Sequence, residues 1–198
     1  MKYLNQRKYP HIPYITRTNP DDPRHERGKT TTVRSSGCGL CAAIMAADRL
    51  LPHCEITLQE AVSLSYEVEA NQAAGTSYVK FAPAFAEKMG LHLEKSKDIS
   101  ELQRCLRTGG AAVILFAGDY EGHIGLFTHG GHYVTAISEE ADGRIAILDP
   151  SYFEGKYEEE GRQGKVEVVN GVIALCAPEI IEEETAPKPF PYWLFWRK

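Results

Sequence analysis

The apolar residues of this chain change their spacing near its middle. From Cys38 the segment CGLCAAIMAADRLL is small or apolar on nearly every side until Asp48 and Arg49. That is the pattern of a helix buried all round, with Ser35 or Ser36 placed to cap its start and Pro52 to end it. Residues 57–69 open on Thr57 with Glu60 three positions later, a capping box. They set Leu58, Ala61, Val62, Ser65 and Val68 mostly on one helical face. Residues 78–89 and 99–107 predict two more helices, stopped by Gly90 and by Gly109-Gly110. Beyond Gly110 the period shortens. Residues 111–117 form a continuous apolar run of strand length, and 132–138, 145–148 and 172–176 also predict strands. Asp142-Gly143 signals a hairpin between the middle two. Helices first and an antiparallel sheet second predict an α+β domain.

The ends of the chain differ from its body. Residues 1–34 form a basic arm with eight Lys or Arg against three acids, an excess of five; the whole chain carries −5, so the remainder holds −10. The arm is expected to dock on this acidic body. Its stretch 16–32 is dense in turn formers and charge and predicts a long exposed loop. A single domain is expected over 35–178. Residues 179–198 form a tail, acidic and then aromatic, whose Phe190, Tyr192, Trp193, Leu194, Phe195 and Trp196 are too apolar to hang in water and should fold back on the body or on a neighbouring subunit.

Hydrophobic residues make up 43% and charged residues 25% of 198 residues, ordinary for one globular domain. An acidic balance does not favour nucleic acid as a partner. No apolar run reaches the ~18–20 residues that span a bilayer, and the basic start has no apolar stretch behind it to make a secretory signal. A cytoplasmic location is the expectation. Five cysteines are too few, and odd in number, for a disulfide framework.

One of the five is set apart by its position. Cys38 lies in Ser-Gly-Cys-Gly at the predicted start of the buried helix, where unpaired backbone N–H groups and the helix dipole favour thiolate. Gly37 and Gly39 leave room on either side for a substrate. His132 begins a strand directly after Gly130-Gly131, and Asp149 ends the strand that returns from the hairpin. A cysteine nucleophile needs a base, and the base needs a partner to fix its tautomer; Cys38, His132 and Asp149 supply them in that order. The Gly-rich stretch 118–131, with His123 and His129, reads as a mobile wall of a cleft, with Gly131 and Tyr133 beside it.

These segments resemble a known family. Ser36-Gly-Cys-Gly-Leu-Cys-Ala-Ala-Ile-Met-Ala resembles the nucleophile helix of the C39-like, papain-fold cysteine peptidases. Gly131-His132-Tyr133-Val134 and Ile147-Leu148-Asp149-Pro150 are similar to their His and Asp motifs, and IPYITR (12–17) to the strand that opens such domains. The resemblance covers roughly residues 12–155 and about a dozen specific positions. It implies a helical half against an antiparallel sheet, the site in the cleft between them, no cofactor, and a peptide or small acyl substrate. The family usually places a Gln shortly before the nucleophile to donate to the oxyanion beside the nucleophile's own N–H. Here that position falls near Arg17 and holds no Gln; Gln6 lies 32 residues before Cys38. Arg17 or Asn19 could donate instead.

Other readings stay open on the residues alone. A non-catalytic relative could bind a peptide or an anionic ligand in the same cleft. Cys38, Cys41, His129 and His132 could form a four-ligand zinc set. A thioredoxin-like C-x-x-C pair is disfavoured because no strand leads into Cys38. Cys54, Cys105 and Cys176 read as free thiols.

Overall fold

A computed structural model describes all 198 residues. The arm holds a 3-10 turn at Gln6–Lys8 and two single-turn helices, α1 (His25–Gly28) and α2 (Val33–Ser36). Then come α3 (Cys38–Leu50), α4 (Leu58–Glu67), the small hairpin β1 (Asn71–Gln72) and β2 (Gly75–Thr76), α5 (Tyr78–Met89), β3 (Leu91–Ser96) and α6 (Ile99–Arg107). The second half is β4 (Ala111–Phe116), β5 (His132–Glu139), β6 (Ile145–Leu148), β7 (Val166–Val169), β8 (Ile173–Cys176), α7 (Pro178–Thr185) and β9 (Tyr192–Arg197).

Seven strands form one antiparallel sheet in the order β3-β9-β4-β5-β6-β8-β7. Both faces of its middle are covered, which explains the continuous apolar run in β4. Ala111 and Val113 face a core built by α3, α4, α5 and the arm. Ala112, Ile114 and Phe116 face a second core with residues from α6 and α7. A strand buried on both faces has no polar alternation to show. Helix α3 lies against β4 and β5 and is buried from Gly39 through Ala47, as its composition predicts. The capping box forms as expected, with Thr57 and Glu60 bonding reciprocally. Gly90 ends α5 with φ +64°, where only glycine is unstrained.

The order along the chain is less segregated than the pattern suggests. β3 falls between two helices, and its alternating LHLEKS is an edge strand, buried mainly at Leu91. The C-terminal segment is not a tail laid over the body. Its acidic stretch forms α7, and YWLFWR enters the sheet between β3 and β4, with Tyr192, Trp193, Leu194 and Phe195 buried. The arm is likewise part of the core: Tyr14 and Val33 are fully buried. No helix is long and apolar enough to cross a membrane.

Candidate active site

Cys38 is the first residue of α3. Gly37 is the N-cap and offers no side chain, so the first N–H groups of the helix go unclaimed by a cap. The two flanking glycines serve the protein's own packing rather than substrate entry. A Cβ on Gly37 would sit 2.7 Å from the Val33 side chain, and one on Gly39 would sit 2.8 Å from the Tyr78 ring. Both are buried, which corrects the expectation that they open the cleft. Gly131 is exposed with nothing near its would-be Cβ. Tyr133 stacks on Tyr78 with ring centroids 4.2 Å apart.

The hairpin does what its length suggested. β5 and β6 pair antiparallel through Thr135↔Leu148, so the start of β5 faces the end of β6. His132 Nε2 lies 2.7 Å from Asp149 Oδ1 and 3.1 Å from Ser151 Oγ. That occupies Nε2, and the imidazole lies near enough to Cys38 to pull its thiol down. The structure joins His132 to Asp149, both buried, and sets the partly open Cys38 at the start of α3, where His132 acts on its thiol.

Asp149 is held by more than His132. Its Oδ2 accepts from Lys156 Nζ at 2.5 Å and from Tyr157 Oη at 2.9 Å. Its Oδ1 also accepts from the Ser151 backbone N–H at 2.7 Å, and Lys156 Nζ donates on to Ser151 Oγ at 2.8 Å. Asp149 and Lys156 are 1% and 3% exposed, a buried ion pair. The arm braces the same loop: Tyr3 Oη donates to the Asp149 carbonyl, Asn5 to the Tyr152 carbonyl, and the Gln6 N–H to the Pro150 carbonyl. None of these partners shows in the sequence pattern. Lys156 and Tyr157 sit in an irregular stretch, where residue type carries no hint of direction.

Electrostatics follow the contacts. Burial pushes the Cys38 thiol up, but the His132 hydrogen bond and charge, with N–H groups of Tyr133 and Gly39, outweigh it and leave the thiol below its ordinary value. Burial pushes His132 down, yet the Asp149 carboxylate and Cys38 raise it to about 9. Asp149 itself is driven well below the carboxylate range: Lys156 and His132 overcome its desolvation. The thiol shifts down and the imidazole up, so each favours the charged form of the other. Cys41, Cys105 and Cys176 shift the other way, because each is buried without such a partner.

Several expected residues are committed elsewhere. Arg17 Nη1 pairs with Glu69 at 2.6 Å on the surface, and Asn19 Oδ1 accepts the Asp21 N–H in a turn. Gln6, set aside for its distance in sequence, is buried between the two halves of the site. Its N–H bonds Pro150, its Nε2 donates to the Arg34 carbonyl just before α3, and its Oε1 is buried without a partner. The zinc set does not assemble: Cys41 is sealed inside α3, while His129 faces Asp119 and Arg162. Nor is the loop 118–131 a loose wall. Arg162 Nε donates to the Gly125 carbonyl and Glu184 accepts the Leu126 N–H, pinning it from two sides. A groove of about 490 Å³ between α5 and β3 includes none of the three site residues.

Comparison with known proteins speaks to the fold. A crystal structure of a candidate C39-like peptidase from Bacillus anthracis matches over 96% of this chain and 96% of its own, at TM-score 0.54 and 13% identity. The α+β architecture with an antiparallel sheet is thus papain-like at a coarse level. No family model and no curated protein matches the sequence.

Proposed function

We propose that the protein is a cysteine hydrolase cleaving a peptide or related acyl bond. The observation that carries the reading is buried His132, held at Nε2 by Asp149 at 2.7 Å and lowering the thiol of Cys38 at a helix start. The candidate C39-like peptidase from Bacillus anthracis has the same coarse fold, which agrees with this reading.

The chemistry follows from the geometry. The Cys38 thiolate attacks the acyl carbon, and the carbonyl oxygen takes up negative charge beside the Cys38 N–H and the helix N-terminus. The C–N bond breaks as imidazolium His132 gives its proton to the departing amine. Water then attacks the thioester, His132 accepts a proton from it, and the acid product leaves with the thiolate restored. Asp149 fixes the ring and stabilises its charged form. Lys156 and Tyr157 keep Asp149 ionised and in place. Five thiols with no disulfide among them suit a reducing compartment, and we place the protein in the cytoplasm on that ground.

A second reading is supported by one feature: no Gln stands near Arg17 to give a second oxyanion donor, and Arg17 itself pairs with Glu69. Loss of one such donor costs about 10²–10³ in rate, so a domain that binds without turnover fits the same contacts. Hydrolysis of p-nitrophenyl acetate separates the two. A hydrolase turns over repeatedly and loses the activity in Cys38→Ala and His132→Ala. A single stoichiometric acylation with no further release identifies the binding domain.

A further inference from the structure

The arginines of the chain divide sharply. Arg17, Arg24, Arg104, Arg107, Arg144 and Arg162 are paired with carboxylates. Arg49 and Arg197 donate to the backbone carbonyls of Ile137 and Leu50. Only Arg7, Arg27 and Arg34 lack any acidic or hydrogen-bonding partner for their side chains, and all three are exposed. They come from the arm, on segments that flank the candidate site in the chain or in the fold. Arg34 lies in α2, four residues before Cys38. Arg27 lines a cleft with Ser36, Ala73 and Ala74, where the β1–β2 hairpin meets the start of α3. A Cβ on Gly75 of that hairpin would sit 3.2 Å from the Ser36 carbonyl. On the other side, Arg7 lines a cleft with Ser151, whose hydroxyl is 3.1 Å from His132 Nε2. Arg7 is held there by its guanidinium lying 4.7 Å above the Phe153 ring.

A free guanidinium on a protein of net charge −5 is a local exception. The acidic body repels anions in general, so three unpaired cations on the segments leading to Ser36 and Ser151 favour an anion that lies along them. We propose that the substrate of this site is an acidic peptide, with carboxylate side chains on both sides of the bond at Cys38. Arg27 and Arg34 receive the part beside the α3 start, and Arg7 the part beside Ser151. The proposal rests on the hydrolase reading for the place of the bond, but the charge preference is a binding property and is measurable without turnover.

Binding to the Cys38→Ala protein tests it, read by anisotropy of two fluorescein-labelled octapeptides. One alternates Glu and Gly; the other carries Gln in place of every Glu. At ~0.02 M salt the Glu peptide should bind about tenfold tighter or more, exposed charge pairs contributing about two- to fivefold each. The preference should collapse at ~0.5 M salt, where the Debye length shrinks to a few ångström. It should also collapse in Arg7→Gln/Arg27→Gln/Arg34→Gln, and survive in Lys97→Gln, a charge control beyond the β3 edge. Equal binding of the two peptides, or a preference that the triple variant retains, overturns the proposal. Failure of the hydrolase reading shows separately, as a wild-type Cys38 no more reactive toward iodoacetamide than Cys54.

Discussion

At the scale of single residues, the site depends on a buried carboxylate satisfied from four directions. Asp149 receives His132, Ser151, Lys156 and Tyr157 at once. Removing one partner of a buried pair leaves the other charge uncompensated, which costs about 3–5 kcal/mol. Lys156→Met should therefore lower unfolding stability by that order, read from urea midpoints at constant slope. It should also raise His132 further, because the carboxylate loses its competing cation. The pH dependence has a definite sign. Asp149 is depressed in the folded state, so its stabilisation is present above the ordinary carboxylate range and lost only in strong acid. His132 is raised to about 9, so its contribution is full below about 6.5 and lost as pH climbs through about 9. In Asp149→Asn the alkaline loss should vanish from the stability profile. The triad candidates were legible because nucleophile, base and orienter are distinctive residue types at element ends. Lys156, Tyr157 and the bracing Gln6 were not, since a long-range contact from an irregular segment leaves no periodic trace.

At the scale of elements, the start of α3 is fixed by close approach. Gly39 must admit the Tyr78 ring, and Tyr78 Oη in turn donates to the Gly39 carbonyl at 2.6 Å. Gly39→Ala should destabilise the fold by about 1–3 kcal/mol through overpacking and slow Cys38 chemistry, while Thr57→Ala at the α4 cap should cost about 1 kcal/mol and leave Cys38 reactivity unchanged. Thermal midpoints and iodoacetamide rates on the two variants check both halves of that statement. The helices read correctly from sequence because each buries a periodic face or carries a cap. β9 escaped because it is apolar on both faces and pairs with strands some hundred residues earlier in the chain. β3 escaped because an edge strand beside a helix shows mostly polar residues.

At the scale of the whole molecule, the chain is closed by its own ends. The arm wedges Gln6 between the Asp149 loop and the residues before Cys38, and β9 joins β3 to β4. Deleting residues 190–198 would expose two strand edges and the apolar surface over Trp193 and Phe195, so the truncated chain should aggregate rather than fold. Light scattering at micromolar concentration reads this directly. The charge asymmetry visible in the sequence persists as structure: the basic arm meets the acidic body through Arg17 and Glu69, yet leaves Arg7, Arg27 and Arg34 without carboxylate partners.

The central claim is that His132 activates Cys38, and the pH profile of iodoacetamide alkylation, resolved cysteine by cysteine by mass spectrometry, tests it most directly. Cys38 should react with a midpoint below the ordinary thiol value of about 8.5. It should outpace Cys54, Cys105 and Cys176 at neutral pH, and lose on the order of 100-fold in rate at pH ~6.5 in His132→Ala, where the imidazole no longer opposes burial. A Cys38 that titrates like an ordinary thiol, at a rate His132→Ala does not change, would contradict the account.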